Sequence, residues 1–256
     1  MSVVEVRTTG DRADLVLRRP EVLNAMSIEV FDGLAAAADE VAGMEDIRVL
    51  VVSGEGKSFS SGIDTSSFGT VSGDPETQIA RAQSGFRKIA ALPIPTIAAV
   101  RGHALGAGLQ LALACDLRVM AKDASVGLLE ARYGLVPDLG GTQQLTALIG
   151  PGRAKKMIWL AERIDGDEAG RIGLAEVVVD ESELDRTVDE LAAAVAGGPP
   201  LAIRGAKRLV DLSLTTSLEE GMDEEATEQQ RMLTSDDFSE AITAFIEKRV
   251  PKYTSS

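Results

Sequence analysis

A chain of 256 residues and 26.9 kDa, 45% hydrophobic and 26% charged, carries enough apolar material for one large domain with a smaller appendage. Its formal net charge of −14 and pI near 4.6 argue against general affinity for nucleic acid or an anionic membrane, so an anionic ligand must meet local cations. The single cysteine, Cys115, excludes an internal disulfide and thiolate zinc sites, and the single histidine, His103, removes the usual imidazole metal sites.

In chain order, Val3 to Arg7 and Asp14 to Arg18 read as a hairpin turning across Thr9-Gly10-Asp11. Ser27 stands where it caps a helix whose Ile28, Phe31, Leu34, Ala35, Ala38 and Val41 recur at helical spacing. Ile47 to Val52, apolar except for Arg48, reads as a buried strand. A helical stretch near 76–91, a strand at Thr96–Val100, a helix from about Gly106 and strands at Leu117–Ala121 and around Ser125–Gly127 follow. After residue 150 helix dominates, with one late strand at Val177–Val179 and amphipathic helices near 182–196, 199–212, 215–232 and 236–249. Gly197-Gly198-Pro199-Pro200 divides an α/β core, residues 1–197, from a helical C-terminal region, 198–256. The start lacks a basic-then-apolar pattern, and the most apolar stretch, Ala90–Val100, is broken by Pro93 and Pro95. A cytoplasmic protein without a membrane partner is the expectation.

Two glycine motifs fail on inspection. Gly54-Glu55-Gly56-Lys57-Ser58 ends like a phosphate-binding loop, but its leading glycine would fall at Val51. Gly106-Ala107-Gly108 would need a glycine at Leu111 to complete a dinucleotide fingerprint. The glycines at 102, 106 and 108 suit instead close backbone approach and a backbone N–H anion site, and two carboxylates, Glu130 and Asp138, follow.

Taken together, Gly56 to Asp64 (GKSFSSGID), Ala98 to Gly108 (AAVRGHALGAG), Cys115-Asp116 and Gly134 to Thr142 (GLVPDLGGT) closely resemble the crotonase, or enoyl-CoA hydratase/isomerase, superfamily. The resemblance runs from Arg19-Pro20-Glu21-Val22-Leu23-Asn24-Ala25 to Phe245-Ile246-Glu247-Lys248-Arg249. It implies an α/β fold, a crotonase-like spiral of ββα units with a helical C-terminal trimerisation region, and an acyl-CoA substrate. It also implies a homotrimer, or trimers paired to hexamers. Coenzyme A is then part of the substrate, and no further cofactor or metal is called for.

By the same resemblance, the oxyanion-hole donors are the backbone N–H groups of Ile63 and Ala107. The hydratases carry two glutamates around a water; the matching positions are Gln110 and Glu130, and Gln110 cannot ionise. Gln110 is expected to face the ligand or join a network rather than to act as a catalyst. Asp138 stands where several double-bond isomerases of the family carry an acid, which favours isomerisation. Taken on the residues alone, Asp138 also reads as a turn or cap residue and Glu130 as an ion-pair partner for Arg132 or another surface cation.

Phe245 and Lys248 match positions that touch coenzyme A or line the acyl pocket, often from a neighbouring subunit, with Arg249 and Lys252 nearby. Val22, Leu23, Ser61, Gly62, Asp64 and Gly106 are further candidates for the coenzyme channel, and residues 65–90 for the acyl pocket. His103 is expected to be structural or to line the substrate. Cys115 reads as a small buried hydrophobe and Trp159 as core or interface. The reading is an enoyl-CoA isomerase-type enzyme, with a hydratase as the alternative and a noncatalytic binding scaffold as a distant third, disfavoured by the acidic balance.

Overall fold

The computed structural model describes residues 2–64, 66 and 74–254. Strands β1 (Val4–Thr9) and β2 (Arg12–Leu17) form the expected antiparallel hairpin; Thr9 pairs with Arg12, and Gly10 supplies the positive φ of 61° in the tight turn. Ser27 occupies the N-cap of α1 (Ile28–Ala42), but its hydroxyl donates to the Glu29 carboxylate at 2.6 Å rather than accepting a first-turn N–H. The face that α1 buries is Val30, Leu34, Ala37, Ala38 and Val41, so Ile28, expected inside, is turned outward at the first helical position.

β3 (Val49–Gly54), β4 (Thr96–Val100), β6 (Leu117–Ala121) and β8 (Val177–Val179) complete a six-stranded sheet in the order β1-β2-β3-β4-β6-β8, parallel from β2 onward. Its central strands are apolar on both faces because both are covered. Leu50, Val52, Ala98 and Val100 pack with α1 and α2 (Pro75–Ala90), whereas Val49, Val51, Ile97, Ala99 and Val119 pack with Leu184, Val188 and Ala192 of α6 (Leu184–Ala196). Asp74 caps α2 by accepting from Thr77 N at 2.9 Å, with Pro75 at the first helical position.

A separate two-stranded parallel sheet pairs β5 (His103–Leu105) with β7 (Ser125–Gly127), and it positions the site. β5 turns at Gly106 into α3 (Ala107–Leu113), and β7 leads to a 3-10 turn at Glu130–Tyr133. Then come α4 (Gly141–Leu160), broken at Gly150 before Pro151, and α5 (Gly166–Ile172).

The C-terminal region is helical as expected: α7 (Pro200–Ser213), α8 (Leu218–Leu233) and α9 (Asp236–Glu247). It is bolted to the core. Lys207 of α7 donates to the Asp116 carboxylate at 2.7 Å and to Ile94 O at 2.9 Å, and Asp116 in turn accepts from Thr96 N at 2.8 Å. Trp159 is not a core residue within the chain; it is 70% exposed near the end of α4. Among the described residues no helix is long and apolar enough to cross a membrane.

Candidate active site

After β3 the chain is laid against two other segments by parallel bridges, Ser60 to Ala104 and Ile63 to Met26. Met26 donates to Gly62 O at 2.8 Å and accepts from Asp64 N at 3.0 Å, so it bonds the neighbours of Ile63 and leaves the Ile63 N–H directed away from it. On the facing segment, Gly106 at φ 52° starts α3, and the N–H of Ala107 opens the helix with no carbonyl one turn back to receive it. Neither the Ile63 nor the Ala107 N–H donates to an acceptor among the described residues. A Cβ on Gly62 would lie 2.7 Å from Leu105 O and 3.8 Å from Ala107 N, a measure of how closely the two segments approach.

Ile63 and Ala107 line one cavity of about 80 Å³ with Ser61, Gly62, Gly106, Leu129, Glu130, Tyr133 and Leu135. Two preorganised N–H donors in a water-poor pocket stabilise negative charge developing on an oxygen. Of the three motif glycines, Gly106 faces this space. Gly102 and Gly108 are instead pressed against the Lys57 and Ser60 carbonyls, where a Cβ would come within 2.0 and 2.5 Å.

Glu130 is 8% exposed. Its Oε1 accepts from Gln110 Nε2 at 2.7 Å, and its Oε2 has no hydrogen-bond partner among the described residues. Burial pushes this carboxyl's pKa up, and the nearby charge of Asp138 adds to the rise; its own backbone N–H, the Gln110 amide and the Leu129 N–H oppose it. Arg132 does not pair with it, because the guanidinium donates to Ala161 O at 3.0 Å. Asp138 is half-buried, and burial raises its pKa as well. It does not cap α4, whose N-cap is Gly140. Its carbonyl accepts from Gln83 Nε2 of α2 at 2.6 Å. Two carboxyls raised by burial in one neighbourhood are candidates for taking up and returning protons.

Gln110, on α3, is 1% exposed. Its amide is engaged by protein: Nε2 with Glu130, and Oε1 with Leu139 N at 2.8 Å and Gly141 N at 3.1 Å.

The outlying candidates fall into two groups. Val22 and Leu23 adjoin the Ser61 end of the cavity, where Ser61 N donates to Leu23 O at 2.9 Å and its hydroxyl to Val22 O at 3.3 Å. Asp64 sits beyond, accepting from the Ser66 hydroxyl at 2.6 Å and pairing with Arg19 at 3.0 Å, and these two partners hold its carboxyl below the usual range. Phe245, 81% exposed, and Lys248, which ends α9 at φ 55°, are not brought to the cavity within one chain. Arg249 pairs with Glu240 at 2.5 Å and Glu247 at 2.6 Å.

Cys115 is buried, its thiol pushed up to about 12 chiefly by burial, and is unreactive in that state. His103 lies on β5 with a buried Nδ1 that has no partner among the described residues. Of the stretch expected to shape the acyl pocket, positions 65 and 67–73 lie outside the described residues. Sequence reasoning missed Leu129, Tyr133, Leu135 and Gln83. The one usable signal was spacing: Tyr133 follows Glu130 by three residues, one turn of 3-10 helix.

Comparison with known proteins bears on this geometry. The profile of the family described as Enoyl-CoA hydratase/isomerase matches residues 12–256. The chain is 33% identical to the peroxisomal Delta(3,5)-Delta(2,4)-dienoyl-CoA isomerase of Arabidopsis thaliana, over 99% of this chain and 96% of the other. It is similar to the crystal structure of an enoyl-CoA hydratase from Bacillus anthracis, with a TM-score of 0.94 and 32% identity, over 99% of this chain and 100% of that one. A Thermobifida fusca protein described as a candidate enoyl-CoA hydratase, solved in complex with CoA, is 38% identical with a TM-score of 0.85, over 91% of this chain and 93% of that one.

Proposed function

The chain belongs to the enoyl-CoA hydratase/isomerase, or crotonase, family, and from that footing we propose that it shifts a carbon–carbon double bond in an acyl-CoA thioester. The observation that carries this reading is the acid arrangement: Glu130 lines the cavity of the two unpaired N–H groups, Asp138, outside that lining, is near enough for its charge to raise the Glu130 carboxyl, and an amide, Gln110, sits where the family resemblance puts a second water-activating glutamate. The Thermobifida fusca relative, described with CoA bound, supports a coenzyme A ester as the ligand.

In the proposed reaction the thioester oxygen lies between the Ile63 and Ala107 N–H groups. Glu130, which lines the same cavity, takes the proton from the carbon next to the carbonyl. The electron pair becomes an enolate, whose oxygen the two donors stabilise as the charge appears; one such donor is worth roughly 3–4 kcal/mol of barrier. Asp138, in its protonated form, gives a proton to the γ carbon, and the double bond moves into conjugation. One proton leaves and one arrives, so the substrate's composition is unchanged and no redox cofactor is needed; after product leaves, Glu130 loses its proton and Asp138 regains one from solvent, which restores the starting pair.

Hydration is the second reading, favoured by the carboxyl of Glu130 lining the cavity with the Ile63 and Ala107 N–H groups. Ultraviolet assays separate the two: a 3-enoyl-CoA reports isomerisation and a 2-enoyl-CoA hydration. Isomerisation is expected to be the faster, and Asp138→Asn to cut it by on the order of 10²–10⁴ with acyl-CoA binding nearly intact. A protein that hydrates faster than it isomerises, or an Asp138→Asn variant with full isomerase activity, transfers the assignment to hydratase. Silence on both substrates points to a binding scaffold. On the same reading the chain assembles as a trimer or paired trimers, with Phe245 and Lys248 serving the coenzyme A of a neighbouring copy.

A further inference from the structure

The side chain of Gln110 meets two backbone donors, Leu139 N at 2.8 Å and Gly141 N at 3.1 Å. A peptide N–H cannot accept a hydrogen bond, so the amide oxygen must face that loop and the amide nitrogen must face Glu130 Oε1, 2.7 Å away. The amide orientation is therefore dictated by its surroundings. An amide nitrogen is a donor at every pH relevant to a protein, so Glu130 Oε1 is an acceptor in both of its protonation states. The other oxygen, Oε2, is buried without a partner among the described residues, on a side chain that lines the cavity with Ile63 and Ala107.

We propose that Gln110 is a positioning residue that selects Oε2 of Glu130 as the proton-exchanging oxygen and ties the Asp138 loop to it through Leu139 and Gly141. The identity of the reaction rests on the isomerase reading above; the steering of the carboxyl does not. The packing leaves the amide no alternative seat, since a Cβ on Gly141 would stand 2.7 Å from Gln110 Cγ and Gln110 is 1% exposed. Among the described residues, Gln110 from α3, the backbone N–H groups of Leu129 and Glu130 from its own turn, and the charge of Asp138 from the loop before α4 act on the Glu130 carboxyl, Gly106 stands against its Oε1, and Tyr133 lines the same cavity. Arg132, on the same turn, is bonded to Ala161 O instead.

Two variants test this. Gln110→Glu keeps the shape and the acceptor for Leu139 and Gly141 but sets a second carboxyl against Glu130 Oε1, so the pair must share a proton. Gln110→Met removes the donor and the acceptor together. The readouts are the carbon-13 NMR titration of the Glu130 carboxyl, assigned by its loss in Glu130→Gln, and the pH profile of kcat/KM with a 3-enoyl-CoA. Gln110→Met is expected to move the Glu130 midpoint and the acid limb of the profile upward, because the ionised form loses its donor. On that limb kcat/KM falls by about tenfold for each pH unit of displacement. Gln110→Glu is expected to replace the single Glu130 step with two coupled ones. A Glu130 titration in folded Gln110→Glu that matches the unmodified protein overturns the proposal, as does Gln110→Met with an unshifted profile. If the unmodified protein turns over no enoyl-CoA while the Glu130 titration still responds as described, the assigned reaction fails and the steering stands.

Discussion

One oxygen of Glu130 is held by an amide and the other is buried without a partner among the described residues, in a pocket that disfavours its charge. Such a group serves chemistry at the expense of stability. Because burial raises the carboxyl's pKa in the folded state, folding at neutral pH forces a charge into an unfavourable place. Below the ordinary carboxylate range the group is protonated in both folded and unfolded chains, and that cost vanishes. Glu130→Gln removes the charge while keeping an acceptor for Gln110. The variant is expected to melt above the unmodified protein at pH 7–8 by a margin that shrinks to nothing as the pH falls through the folded-state pKa and on below the unfolded one. Its activity is expected to drop by on the order of 10²–10⁴. Thermal melts from acid to neutral pH check this, and a variant that melts no higher at any pH contradicts the burial argument. Asp64 is the opposite case: its carboxyl is bound by Ser66 and Arg19 and held low, which marks it as a brace for the 58–64 segment.

Gly62 is where two elements depend on one missing side chain. It combines φ 97° with a contact in which a Cβ would press on Leu105 O at 2.7 Å, so Gly62→Ala must separate the Ile63 segment from the start of α3. The two proposed oxyanion donors, Ile63 and Ala107, sit on those two segments. The substitution is expected to cost about 1–3 kcal/mol of stability and on the order of 10²-fold in kcat. Gly10→Ala is the control: it has a similar φ of 61° but open space around the missing Cβ, so stability is lost and kcat is kept. Equal kcat losses in the two variants would count against a donor role for this junction. Strands such as Thr96–Val100, Leu117–Ala121 and Val177–Val179 can be read from β-branched and apolar runs because both faces of the sheet are covered. β5 escapes that reading; it has three residues between glycines, and its pairing with Ser125–Gly127 is non-local. The same reason hides the amide network. The chemistry of Gln110 was readable as a missing acid, but its partners lie 20 to 31 residues away, and no local pattern records them. The outward face of Ile28 was likewise unreadable, since which stripe of α1 is covered is decided by the sheet beneath it.

At the scale of the molecule, a chain with a net charge of −14 exposes many large apolar side chains on its C-terminal helices, among them Val210, Leu214, Leu218, Phe245 and Ile246. Light scattering at micromolar concentration is expected to give a trimer or hexamer, and a stable monomer would remove the proposed role of Lys248 across an interface. Coenzyme A is expected to raise the melting temperature of the assembled protein, and Lys248→Glu to reduce that rise; equal rises in the two proteins would show that this lysine does not meet the ligand. The sheet order carries one more consequence. From β1 to β8 every strand of the large sheet joins the edge left by a strand earlier in the chain, and none must be inserted between two already paired. A ribosome delivers the chain N-terminus first, so each strand emerges after the neighbour it pairs with, an order that permits the sheet to be built by accretion at its β8 edge, with α6 following the last strand.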